Sequence, residues 1–138
     1  MILKVLVVEP NYVPYEKEVN GLHEMQAVVG GLIQPIYPYQ ESVTVVCNEE
    51  GLINGLPFNR SVEGGYGGVF GTFFVCGLTE EDFCSLTPEQ MERFKKKFHN
   101  AEILIGVQGN TPITLTVSPQ DRSRASKGKD RETPPGRG

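Results

Sequence analysis

The chain has no tryptophan, two histidines and three cysteines in 138 residues. Cys47, Cys76 and Cys84 are odd in number and none are spaced as CxxC, so neither a disulfide framework nor a structural zinc site is expected. Cys47 and Cys76 sit in apolar runs and read as small buried hydrophobes. Neither His23 nor His99 has a second histidine or cysteine at i+3 or i+4. They read as structural or surface side chains, and no metal site is assigned.

No apolar run approaches the roughly 20 residues of a membrane span. The opening residues 1–10 lack the basic segment and small-residue cleavage site of a signal peptide. The expectation is a cytoplasmic protein with no membrane contact. Motifs of chemistry are missing too. There is no GxSxG and no GxxxxGK[ST], and the glycines between Gly64 and Gly71 fit no GxGxxG register, so they read as a linker and not a phosphate cradle. Cys84 with His99 is the one nucleophilic pairing to consider, and spacing gives it no support. No catalytic residue and no cofactor is assigned.

What is present is one domain's worth of apolar sequence, 38% of residues, with a formal charge of −4. The charge is uneven. Residues 118–138 hold six basic and three acidic side chains, a formal +3, which leaves −7 on the first 117 residues. An acidic body disfavours phosphate contacts, so direct nucleic-acid binding is expected only weakly, through the tail.

The pattern predicts an α+β fold: a mixed or antiparallel sheet of about five strands with two packed helices. Residues 2–8 are almost continuously aliphatic, as in a strand buried on both faces. Tyr15–Val19 is a second, more polar strand. Leu22–Val29 reads as a helix with Leu22, Met25, Val28 and Val29 on one face, ended by Gly30-Gly31. Leu32–Tyr37 is a strand that Pro35 assigns to an edge or a bulge. Val43–Cys47 and Gly71–Gly77 are further strands. Gly55 and Pro57 argue against a long element at 52–60, and Glu63–Gly68 reads as a flexible loop.

The clearest local signal follows Leu86. Thr87 suits an N-cap, Pro88 the first helical position, and Gln90 completes a capping box. Met91, Phe94 and Phe98 share a face. Glu89–Arg93 and Glu92–Lys96 are i,i+4 pairs, and Lys95-Lys96-Lys97 suits the negative end of the helix dipole. Ile103–Val107 and Ile113–Val117 flank a turn at Gly109-Asn110 and predict a late hairpin over 100–117. Residues 1–117 therefore form one domain. From Ser118 onward the chain has one apolar side chain besides glycine and proline, Ala125, and is expected to be disordered.

Two polar groups are candidate sites. The run Glu80-Glu81-Asp82 is either a solvated loop face or an acidic docking surface for a basic partner, which Glu49 and Glu50, with Glu9, would enlarge. Tyr12, Tyr15, Tyr37, Tyr39 and Tyr66, all near proline or glycine, either pack turns or anchor an interface.

The successive segments Val8-Glu9-Pro10, Cys47-Asn48-Glu49-Glu50-Gly51, Asn54-Gly55-Leu56-Pro57-Phe58-Asn59-Arg60, Gly71-Thr72-Phe73-Phe74 and Leu86-Thr87-Pro88-Glu89-Gln90 together resemble the domain of unknown function 3846 family over about residues 1–99. Such domains occur in accessory proteins of phages, plasmids and conjugative elements. The resemblance brings no catalytic residues. It implies a setting in which small proteins often inhibit host defence by binding it.

Within this resemblance the segment Asn54 to Arg60 has two readings. In one, Asn54 and Asn59 bond nearby backbone and Arg60 pairs with Glu49 or Glu50 to close a turn. In the other, Asn54, Asn59 and Arg60 form a polar recognition site. The leading functional expectation is a non-enzymatic accessory protein that binds and inhibits a host defence nuclease, of anti-CRISPR or anti-restriction type, through a partner's basic surface. The alternative is a small-ligand or nucleotide-binding regulatory module using Arg60 and the glycine loop.

Overall fold

The computed structural model describes residues 2–121. Six strands form the main sheet: β1 (Ile2–Val8), β2 (Tyr15–Asn20), β3 (Ile33–Ile36), β4 (Val43–Asn48), β7 (Phe73–Leu78) and the two-residue β8 (Phe83–Cys84). The order is β2-β1-β7-β4-β3, with β8 added on β7, and every pair is antiparallel. The aliphatic runs thus lie in the interior of the sheet, and β3 with its Pro35 is an edge strand, as proline's missing donor requires.

Strand alternation sends side chains to two cores. Leu3, Val5, Val7, Val46, Phe74 and Cys76 pack on one face with Met25 and Val29 of α1 (Gly21–Val29). Leu6, Val8, Val43, Val45, Phe73 and Val75 pack on the other with Met91 and Phe94 of α2 (Pro88–Lys97). Each helix covers one face, so the sheet is the middle layer. No helix among the described residues is long and apolar enough to cross a membrane.

The helix ends follow the sequence chemistry. The capping box at α2 is complete: Gln90 N donates to Thr87 Oγ1 at 3.1 Å and Thr87 N to Gln90 Oε1 at 3.0 Å. Gly30 ends α1 in the left-handed region, φ 79°. The expected apolar face of α1 is incomplete, because Leu22 is exposed. The salt bridges also differ from the i,i+4 expectation. Arg93 reaches Glu41, bidentate at 2.7 and 3.0 Å, and Lys95 pairs with Glu16 and Glu92. Tertiary packing brought better-placed carboxylates within reach.

Two hairpins complete the fold. β9 (Ala101–Gln108) and β10 (Thr111–Val117) turn at Gly109-Asn110, as expected. The second hairpin was not expected. The glycine-rich segment, which by sequence reads as a linker, is the turn and return strand of a hairpin of β5 (Phe58–Val62) and β6 (Gly67–Phe70). Glycine's low strand propensity hides it in the sequence. Gly68 is there for space: a Cβ would stand 2.4 Å from the Phe58 ring. The described chain also continues past the expected break at Ser118. Gln120 N donates to Asn11 O at 2.8 Å and Gln120 O accepts from Val13 N at 2.9 Å. The rest of the expected tail, 122–138, lies outside the described residues.

Candidate functional site

The segment Asn54 to Arg60 divides. Asn54 is exposed on the turn after β4, whereas Asn59 and Arg60 are fully buried at the start of β5. Asn59 Nδ2 donates to Val8 O at 2.8 Å and to Gly71 O at 2.9 Å. Arg60 Nη1 donates to Asn59 Oδ1 at 2.8 Å, Nη2 to Tyr12 O at 2.9 Å, and Nε and Nη2 to Phe98 O at 3.2 and 2.9 Å. Glu49 and Glu50, the sequence-expected partners of Arg60, stand exposed elsewhere, and carbonyls took their place.

The geometry explains how a buried cation is tolerated. Phe98 is the C-cap of α2, where unpaired carbonyls carry the negative end of the helix dipole. Burial lowers the Arg60 pKa to about 10, opposed by the charge of Glu102, so the group stays protonated at neutral pH. Arg60 and Asn59 together tie the end of β1, the loop through Tyr12, the turn between β6 and β7 and the end of α2. Their polar atoms are turned inward onto backbone carbonyls and onto each other, while Asn54 stands apart from them on the exposed turn.

The acidic residues divide as well. Glu80, Glu81 and Asp82 are exposed in the turn after β7, which Thr79 Oγ1 holds by accepting from Glu81 N and Asp82 N. That turn lies beside the start of β4, since Leu78 N donates to Ser42 O. Glu49 and Glu50 follow the end of β4. Six residues of strand separate the two groups, about 20 Å, so they do not form one patch. Glu9 follows β1 and lies at the Glu49 end of the sheet, because β1 runs antiparallel to β7. Cys84 precedes α2 and His99 follows it; the helix between them is about 15 Å long. Cys76 is buried and Cys47 half-buried, and burial raises the Cys47 thiol to about 11.

Two features were missed at the level of sequence. The first is the outer face of β9–β10. A bulge near Ile105 breaks the register, and Ile103, Ile105, Ile113 and Leu115 lie together on the side away from the domain, 47%, 57%, 43% and 54% exposed. The periodicity of both strands was visible, but it reads equally well as a face against the core. The second is a cleft of about 570 Å³ between the β3–β4 edge, the β5–β6 hairpin and the inner side of β9–β10, where Leu104, Val107 and Pro112 point. No sequence signal marks it, because its walls come from three separate regions.

Among the described residues no cluster of three or more His, Cys, Asp or Glu is placed to hold a metal ion. No curated protein and no solved structure matches the chain. The model of one family, described only as a domain of unknown function, matches residues 3–99, from β1 to the end of the α2 segment and short of β9–β10. By that match the chain belongs to the domain of unknown function 3846 family.

Proposed function

We propose that this is a non-enzymatic accessory protein that acts by binding another protein, and that the outer face of β9–β10 makes the contact. The observation that carries the reading is the cluster of Ile103, Ile105, Ile113 and Leu115, each at least 43% exposed on one side of a two-stranded hairpin. Such a hairpin is marginal without a covering surface, and contiguous exposed apolar side chains mark interaction sites. The hairpin belongs to a body of formal charge −7 over residues 1–117. A partner with an apolar centre and a basic rim fits that combination.

The class of target follows from the resemblance to accessory proteins of mobile elements: a host defence nuclease, of CRISPR or restriction type, whose nucleic-acid channel is basic. The divided acidic groups favour docking beside such a channel over imitation of a nucleic-acid strand. The test is cleavage by a panel of purified restriction and CRISPR nucleases with the protein added in stoichiometric amounts. Inhibition of one nuclease by the parent chain, lost in Ile105→Asp/Leu115→Asp with an unchanged circular dichroism spectrum, is the expected result. Inhibition that survives this change but is lost in Glu80→Lys/Glu81→Lys moves the contact to the β7–β8 turn. Absence of inhibition and of binding across the panel overturns the nuclease reading.

A further inference from the structure

We propose that the cleft beneath the β9–β10 hairpin is a binding site for a small organic cation with an aromatic or aliphatic body. The site is distinct from the outer face described above, because it is lined by the opposite side of the same hairpin. Its volume, about 570 Å³, lies in the range of small-molecule pockets. Phe58 and Phe70 meet edge to face in its wall, with ring centroids 5.4 Å apart and planes at 81°, and Tyr66 stands half-exposed beside them.

The sign of the ligand's charge follows from the lining. Glu49 is the one charged residue there; no lysine, arginine or histidine lines the cleft. Glu49 is exposed and has no ion pair among the described residues. Aromatic faces also attract cations and not anions. A nucleotide or a carboxylate would meet only negative charge.

The remaining polar groups of the floor are already engaged within the fold. Asn48 Nδ2 donates to Val29 O at 3.1 Å, and its Oδ1 accepts from Glu50 N at 2.8 Å. The Cys47 thiol donates to Gln34 O at 3.4 Å. That thiol, raised to about 11, stays protonated at neutral pH, so binding is non-covalent. Apolar walls supply the affinity and the Glu49 carboxylate selects the charge.

The probes are three molecules of matched shape: 2-phenylethylamine, 2-phenylethanol and 3-phenylpropionate. Each is titrated into the full chain labelled with nitrogen-15, and the backbone amides of Gly65, Gly68 and Gly109 in the cleft are followed by NMR. The amine should give saturable shifts confined to these and neighbouring amides, the alcohol weaker ones, and the acid none. Glu49→Gln, a surface change that leaves the core intact, should weaken the amine about two- to fivefold, to the level of the alcohol. Equal binding of amine and acid, or no saturable shift in the cleft up to millimolar amine, overturns the proposal. Both outcomes leave the outer-face reading untouched, since that surface carries none of these glycines.

Discussion

The Asn59–Arg60 pair and the outer face of β9–β10 invert the usual rule of burial in opposite senses. One places a guanidinium at 0% exposure; the other leaves four aliphatic side chains at 43–57%. In the buried pair every described hydrogen bond goes to the protein itself, so the residues that look most like a recognition site hold the fold together. On the hairpin the residues that look most like core are left exposed among the described residues. The difference teaches that residue type is a poor guide to function here. What matters is whether a group's physical demand is met inside the chain. Arg60 needs acceptors and has them. Ile103 and Leu115 have each other across the hairpin, but among the described residues they keep 47% and 54% of their surface exposed.

The comparison can be broken most strongly at Arg60. Arg60→Ala leaves Phe98 O, Tyr12 O and Asn59 Oδ1 without their donor and opens a cavity, which should cost about 3–5 kcal/mol of stability by urea denaturation. A loss under about 1 kcal/mol would mean that water replaces the guanidinium and that the residue is free for another role. Asn59→Ala removes the two bonds to Val8 O and Gly71 O and the acceptor for Arg60. A cost of about 2 kcal/mol is expected, measured in the same way. Because the two side chains are bonded to each other, the double variant should cost less than the sum, and a double-mutant cycle reads that coupling.

Smaller effects sharpen the comparison. Thr87→Ala removes the cap of α2, whose far end carries the Arg60 contacts, and should cost about 1 kcal/mol in thermal or chemical melting. Ile105→Asp on the outer face should change stability by no more than about 0.5 kcal/mol while abolishing partner binding. A large destabilisation there would show that the face is covered within the chain.

The smallest effect concerns surface carboxylates. The hydrogen bond from Arg93 holds Glu41 below its ordinary value of 4.5, and the one from Lys95 does the same for Glu16. A carboxyl with a lowered folded-state value stabilises above its unfolded value and loses that contribution as pH falls through the lowered one. Stability should therefore decline below about pH 4.5. Glu41→Gln should flatten the decline slightly, by well under 1 kcal/mol, as for exposed pairs. An unchanged pH profile in that variant removes the pair from the account.

Much of the scaffold was legible in the chain. The aliphatic runs of β1, β4 and β7, the proline that sends β3 to an edge, the capping box of α2 and the Gly109-Asn110 turn each state a local demand, and tertiary packing agreed with all of them. The β5–β6 hairpin was not legible. Its glycines are chosen for close approach to Phe58 and for left-handed turns, demands that exist only once the hairpin is formed. The candidate sites were harder. The sequence singles out Asn54, Asn59 and Arg60 together, but Asn54 is exposed, and the partners of Asn59 and Arg60 lie as far along the chain as Val8 and Phe98. Nothing at positions 54–60 says which carbonyls will arrive there.

By itself the sequence determined the layer of β-branched strands, the two helices with their ends, the acidity of the body and the family to which residues 3–99 belong. These depend on propensity, period and charge, which act between near neighbours. Only the tertiary structure decided that Arg60 is internal, that the acidic residues are split between opposite ends of the sheet, that four aliphatic side chains face outward, and that three distant segments enclose a cleft. Those outcomes depend on which surfaces meet, and a surface is known to be covered or bare only when the whole chain has been placed.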